Sequence, residues 1–191
     1  MKRLFLALAF LIPFSAQAAE HILMPMVGAT SWSDDTGHTA RGSAIAFEDD
    51  NNPTLGFKYL YMYDSGFAWG GNIYVYNKDV VTAGQADDAG VSHIHALAEY
   101  YFNSKGTVSP FVGAGIGVTG ITFNEGVLDE ESTSGGSIEL NGGVKFRVSQ
   151  SFSLQLEYKY TNFDVDEDID SLNTNIDTDS QSLMVGVAME L

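Results

Sequence analysis

Two groups of side chains in this 191-residue chain have the types and spacing to do chemistry. The first is the run Asp164-Val165-Asp166-Glu167-Asp168-Ile169-Asp170. Hard carboxylates at alternating positions, here Asp164, Asp166, Asp168 and Asp170, can ligate Ca²⁺ or Mg²⁺ weakly. The run is not an EF-hand. Counted from Asp164, Ile169 stands where that loop needs Gly, and Asn175 where it needs a bidentate Glu. The plainer reading is a solvated acidic loop. The second group is His93 and His95, which share a strand face with Glu99. Two imidazoles so spaced could hold a metal, and with Glu99 they resemble an acid–base cluster. The plainer reading is a hydrogen-bonded polar lining. Ser92 and His93 are adjacent and project to opposite faces, so they form no nucleophile–base pair. The chain has no G-x-S-x-G, H-E-x-x-H or phosphate-loop motif. Gly113, Gly115 and Gly117 line one strand face and open no helix. The sequence therefore predicts no catalytic residue, no enzymatic activity and no cofactor beyond a weak divalent cation at the acidic run.

Composition narrows the setting of these groups. The chain holds 25 acidic and 9 basic residues, net −16, so nucleic acid is an unfavourable partner. It has no cysteine, which excludes disulfides, thiolate metal sites and a cysteine nucleophile. Lys2 and Arg3 precede an apolar run of 11 residues, Leu4 to Phe14, and then Ala16-Gln17-Ala18. A basic start, a short apolar stretch and an A-x-A site predict a cleaved signal peptide over residues 1–18 and a mature domain over 19–191. That address suggests a bacterial envelope protein. Residues 106–124 carry no charge over 19 positions, but five glycines and Pro110 exclude a transmembrane helix there. Their period-two alternation is that of a strand.

The elements that position the candidate groups are all strands. Alternation marks a looser opening strand near 22–32 and seven clearer ones: 54–63, 67–76, 93–102, 109–122, 138–147, 152–161 and 182–191. Pro25 weakens the first. Three connections are short: Asp64-Ser65-Gly66, Asn103 to Ser109, and Ser149-Gln150-Ser151. Four are long: 33–52, 77–91, 123–136 and 164–181. Short alternating with long is the rhythm of an up-and-down barrel with turns at one end and loops at the other. The long loops hold 19 of the 25 acids.

Charge decides which face is wet. The strands carry only Lys58, Lys145, Arg147, Lys159, Glu99, Glu139, Glu157 and Glu190. A soluble barrel needs a far more charged exterior. Four cations and four anions suit a narrow interior where they pair. Tyr61, Tyr63, Phe67, Trp69, Tyr100, Phe102, Phe111, Phe146 and Phe152 gather beside the short turns, as an interfacial girdle does. The fold class is thus all-β, an eight-stranded antiparallel up-and-down transmembrane β-barrel.

The signal peptide, the eight alternating strands, the long polar loops and the amphipathic end Ser182–Leu191 together resemble the small outer-membrane β-barrel family of Gram-negative bacteria. That family includes the OmpA transmembrane domain and the OmpX/Ail and OmpW types. The segment from Phe152 to Tyr160 is especially similar to its penultimate strand. Members commonly end in Phe or Tyr, where this chain has Leu191. The resemblance implies a barrel alone, in the bacterial outer membrane and monomeric. It contacts outer-membrane lipid and lipopolysaccharide and is inserted by the barrel-assembly machinery. It implies a structural or cell-surface interaction role. An OmpW-like carrier or narrow channel for small hydrophobic molecules stands as the alternative, for which Leu60, Met62, Leu97 and Met184 offer inward apolar area.

Overall fold

The computed structural model describes residues 19–32, 36–40, 43–47, 51–82, 85–123, 132–169 and 172–191, with side chains described over 20–32, 51–79, 88–122, 132–164 and 178–191. Ten strands form: β1 (Ala19–Trp32), β2 (Thr36–Ala40), β3 (Ser43–Phe47), β4 (Asn52–Tyr63), β5 (Phe67–Thr82), β6 (Gln85–Tyr101), β7 (Val108–Phe123), β8 (Ser132–Arg147), β9 (Phe152–Ile169) and β10 (Leu172–Glu190). Eight close an antiparallel barrel in the order β1-β4-β5-β6-β7-β8-β9-β10 and back to β1. The hairpin β2–β3 adds to β5 at its loop end, through Ile45↔Thr82 and Phe47↔Val80. Closure pairs both edges of each of the eight barrel strands, which is what a sheet inside lipid requires. Among the described residues no helix is long and apolar enough to cross a membrane.

The alternation expected from sequence is observed throughout. Along β4, residues from Asn52 to Met62 alternate between buried and exposed, apart from half-buried Gly56 and Tyr61. On β7, Val112, Ala114, Ile116 and Val118 face out, and Gly113, Gly115, Gly117 and Thr119 face the interior. The loose opening strand runs from Ala19 rather than Ile22. Its pairing with β4 is continuous, but its ladder with β10 skips Met24 and Pro25 between Leu23↔Met189 and Met26↔Gly186. Proline has no N–H to donate there.

The strands outrun the sequence reading at the loop end. β9 and β10 have 18 and 19 residues, where about 9–11 cross a bilayer. The expected loops 77–91 and 164–181 are largely paired, through Asn77↔Gly90 to Thr82↔Gln85 and Asp164↔Asp177 to Ile169↔Leu172. Acidic residues there end the apolar alternation of the sequence without ending backbone pairing. At the other end the turns are tight. Gly66 adopts φ 87° and accepts the Tyr101 N–H at 2.8 Å. A side chain there would press on the Tyr101 carbonyl.

Candidate functional site

The lumen is a packed interior, and its middle is ionic. Lys58 Nζ on β4 donates to Glu99 Oε1 at 2.7 Å and Glu157 Oε2 at 2.6 Å. Lys159 Nζ on β9 reaches Glu139 Oε1 at 2.8 Å and Glu157 Oε1 at 3.0 Å. Asn72 Nδ2 donates to both oxygens of Glu139, at 3.0 and 3.1 Å. Asn141 Nδ2 donates to Glu99 Oε1 at 2.8 Å and lies 3.1 Å from Glu157 Oε1. Tyr101 OH donates to Glu99 Oε2 at 2.8 Å, and Gln155 Nε2 to Glu157 Oε2 at 2.9 Å. These ionic side chains are at most 1% exposed. Nearer the turns, Lys145 Nζ meets Glu190 Oε1 at 3.0 Å and Arg147 Nη2 meets Glu190 Oε2 at 3.5 Å. All eight charged groups expected to pair do so, two cations with three anions in the middle of the lumen and two cations with one anion nearer the turns.

Burial forces that satisfaction, since an unpaired charge in a dry lumen costs several kcal/mol. Aromatic faces add to it. Lys58 lies over Phe111 at 5.5 Å, Lys145 over Tyr101 at 5.3 Å, Lys159 over Tyr74 at 5.2 Å and Lys78 over Trp32 at 5.7 Å. Lys58, Lys145 and Lys159 thus rest on a π face as well as on their anions. Gly113 makes room for the network. A methyl there would strike Asn141 Oδ1 and come within 2.7 Å of Glu99 Cγ.

The two histidines sit at the loop end of the same interior. His93 Nδ1 meets Thr119 Oγ1 at 2.7 Å and Nε2 meets Tyr76 OH at 3.0 Å. Trp32 Nε1 donates to Tyr76 OH at 2.7 Å, and Phe163 packs edge-on against both Trp32 and His93. His95 Nε2 lies 2.9 Å from Ser137 Oγ, and Nδ1 3.3 Å from Glu139 Oε2. The pair stacks at 5.9 Å beneath Tyr74, with both ring nitrogens of His93 engaged. Polar lining is the arrangement found. Among the described residues no three His, Cys, Asp or Glu side chains converge on a metal position. The Trp32–Tyr76–Phe163–Lys78 cluster is absent from the sequence reading. Strand parity was its available signal, because Tyr76 and Lys78 continue the inward series Asn72, Tyr74.

The opposite wall is apolar. Ile22, Met24, Met26, Leu60, Met62, Met184 and Ala188 pack together, all at most 3% exposed. Leu97 is also buried, so the four residues expected to give inward apolar area all do.

Outside, the wall is greasy. Leu55, Phe57, Ile73, Ile94, Val112, Ile116, Leu140, Leu156 and Val185 are exposed, which a soluble barrel would bury. Phe67, Trp69, Tyr100, Phe102, Phe146 and Phe152 form the turn-end girdle, while Tyr61 and Tyr63 are half-buried beside it. Phe111 does not belong to it. It is 2% exposed and stacks on Tyr101 inside the lumen at 4.9 Å. Its position beside the turn suggested the girdle, but it shares parity with the inward Ser109 and Gly113.

Of the acidic run, Asp164 is exposed on β9 opposite Gly136. Asp166 and Asp168 pair through their backbones with Asn175 and Asn173, and their side chains lie outside the described residues. Asp170 lies wholly outside them, as do residues 1–18.

Known proteins of this geometry are membrane barrels. Neisserial surface protein A superposes with a TM-score of 0.70 at 16% identity, over 92% of this chain and 100% of that one. OprG from Pseudomonas aeruginosa matches with a TM-score of 0.60 at 15% identity, over 92% and 97%. Ail of Yersinia pestis, in complex with the heparin analogue sucrose octasulfate, gives 0.59 at 17%, over 91% and 99%. No curated protein matches the sequence. These likenesses carry the fold. The family model of the outer membrane protein beta-barrel domain matches residues 4–188, so the chain belongs to that family.

Proposed function

We propose that this barrel is a non-enzymatic outer-membrane protein that acts at the cell surface through its protruding hairpins. The observation that supports this is the filled lumen, where Lys58, Lys159, Glu99, Glu139 and Glu157 occupy the axis with Asn72 and Asn141. A solute would have to break buried ion pairs to pass. Export would follow cleavage after Ala18, insertion would use the barrel-assembly machinery, and the barrel would work as a monomer. Single-channel recording in planar bilayers tests the reading. We expect no steady open level, and a steady ohmic conductance would overturn it.

The hairpins suit a cationic partner, or an anionic one bridged by divalent metal. Ail is seen with a polyanion, but here Asp79, Asp88 and Asp164 are exposed at the loop end, while Lys58, Lys78, Lys145 and Lys159 are buried and the exposed Lys105 belongs to a turn at the other end. The acidic run Asp164, Asp166, Asp168 and Asp170 would bind Ca²⁺ or Mg²⁺ at about millimolar affinity and could bridge lipopolysaccharide phosphates. Calorimetry should give Ca²⁺ heats that Asp166→Asn/Asp168→Asn diminishes. Equal heats from both proteins would remove the metal role.

A second reading, an OmpW-like carrier of small hydrophobic molecules, is favoured by the methionine wall of Met24, Met26, Met62 and Met184. Thioethers repack around varied apolar shapes. Protection of these methionines from peroxide by an added alkane would favour the carrier.

A further inference from the structure

We infer that the methionine wall of the lumen is a binding site for one soft monovalent cation, Cu⁺ or Ag⁺. The inference goes beyond the surface role and rests only on the closed barrel. The chain has six methionines and no cysteine, so thioethers are its soft ligands. Met24 and Met26 on β1 and Met184 on β10 are buried on the inward face at the closing ladder, where Met26 pairs with Gly186 and Gly28 with Met184. The two glycines clear the wall beneath these side chains. A Cβ on Gly186 would lie 2.9 Å from Met24 Sδ and 3.1 Å from Met26 Cγ, and a Cβ on Gly28 would lie 2.5 Å from Met184 Sδ. Gly28 and Gly186 are diagonal neighbours across the ladder, about 7–8 Å apart. The three methionines therefore occupy adjacent steps of one face. Each has three rotatable bonds with which to turn its sulfur toward an ion held between them.

Softness and charge select the ion. Neutral thioethers suit Cu⁺ and its heavier congener Ag⁺, while Ca²⁺ and Mg²⁺ require oxygen ligands. Met24 stands directly opposite Lys58 on the β1–β4 ladder, so the wall adjoins the ionic network. That network sets Glu99, Glu139 and Glu157 against Lys58 and Lys159, one negative charge in excess, on side chains at most 1% exposed. The opposite excess, Lys145 and Arg147 against Glu190, lies nearer the turns, where Arg147 is 26% exposed and water meets its charge. The excess in the middle has no such relief, and a buried charge needs a partner. One monovalent cation on the thioethers supplies it, and a divalent cation would overshoot.

The test adds silver nitrate, in chloride-free buffer, to the mature barrel refolded in detergent micelles with ¹³C-methyl methionine. Native mass spectrometry counts the bound ions, and the methyl resonances locate them. The wild type should hold one Ag⁺, with the methyls of Met24, Met26 and Met184 shifted and those of Met62 and the outward Met189 unmoved. Zn²⁺ and Ca²⁺ should shift none of the five. Met24→Leu/Met184→Leu keeps the wall apolar and should lose the ion, while Met62→Leu should retain it. Met184→Leu alone should weaken binding about tenfold or more, since loss of even an outer partner of a metal site costs that much. Unshifted methyls in the wild type, or equal Ag⁺ retention by the double variant, as at a surface imidazole such as His21, would overturn the inference. Heat-modifiable gel mobility is read on every sample. A chain that runs as unfolded fails the barrel, whereas a folded barrel with unmoved methyls fails only the site. If the double variant does not fold, Met184→Leu against Met62→Leu decides: equal affinities would overturn the inference.

Discussion

The two walls of the lumen solve one packing problem in opposite ways. One wall, drawn from β5, β6, β8 and β9 with Lys58 from β4, is built of charges whose every partner is specified by direction and distance. The other lies between the hydroxyl cluster of Thr30, Thr54 and Ser182 at the loop end and Glu190 at the turn end, and draws four methionines, one leucine, one isoleucine and one alanine from β1, β10 and the turn half of β4, none of which carries an N–H or O–H on its side chain. Both fill the space that eight strands enclose, which is just wide enough for side chains. The first wall is rigid because each group is held by two or more others. The second is adaptable because thioethers have three rotatable bonds and no directional demand. The barrel thereby joins a specified half, which fixes register across strands far apart in sequence, to a compliant half beside the first and last strands, where it closes. Closure joins residues such as Ile22 and Glu190, from opposite ends of the described chain. A compliant surface there tolerates the gap that Pro25 leaves in the ladder.

The largest expected effect breaks the specified wall. Lys58→Met removes the cation shared by Glu99 and Glu157 and leaves Glu99 with hydrogen bonds but no counter-charge. Stability should fall by about 3–5 kcal/mol, as when one partner of a buried pair is lost. Urea unfolding of the barrel refolded in detergent micelles measures this. Adding Glu99→Gln to the variant should restore part of the loss, because the stranded charge is then gone. If the single variant unfolds at the wild-type urea midpoint, the network contributes packing and no electrostatics.

A matched pair of glycines sharpens the comparison at intermediate cost. Gly113 and Gly186 both lie on strands where an added methyl would contact side chains of the lumen. At Gly113 it strikes Asn141 Oδ1, and at 2.7 and 2.9 Å it meets Glu99 Cγ and the Ala98 carbonyl, groups tied down by the network or by the sheet. At Gly186 it meets Met24 Cγ and Sδ at 2.8 and 2.9 Å and Met26 Cγ at 3.1 Å, which can swing aside. Gly113→Ala should therefore cost about 1–3 kcal/mol, the range for overpacking, and Gly186→Ala less than about 1 kcal/mol. Equal urea midpoints for the two variants would show that both walls yield alike.

The same contrast explains what the sequence made legible. Period-two alternation carries the inward or outward placement of every strand, so Lys58, Glu99, Glu139, Glu157 and Lys159 could be placed inside together and expected to pair. Which carboxylate meets which lysine depends on stagger between strands, and no single strand encodes it. Glu157 binds both lysines, and Lys58 reaches across to β6 and β9. The hairpin extensions of β9 and β10 were hidden because apolar alternation stops there and backbone pairing does not. Phe111 was misplaced by proximity to a turn although its parity was readable.

The smallest expected effect tests the compliant wall alone. Met184 is fully buried beside Gly28 and Gly56, where its Sδ and Cε would be among the first atoms met by an added Cβ. Met184→Leu keeps volume and apolarity while replacing a supple thioether by a branched chain. No hydrogen bond or charge is lost, so the change should cost less than about 1.5 kcal/mol by urea midpoint. A directional wall would respond otherwise: Glu157→Gln, equally close in volume, removes a charge from between two lysines and should cost more than twice as much. The ratio of the two losses is the quantity to measure, because both variants share the same unfolded chain, micelle and denaturant, and errors common to both cancel. A ratio near one would mean that Met184 is held as tightly as Glu157, and that the methionine wall is as finely specified as the ionic one.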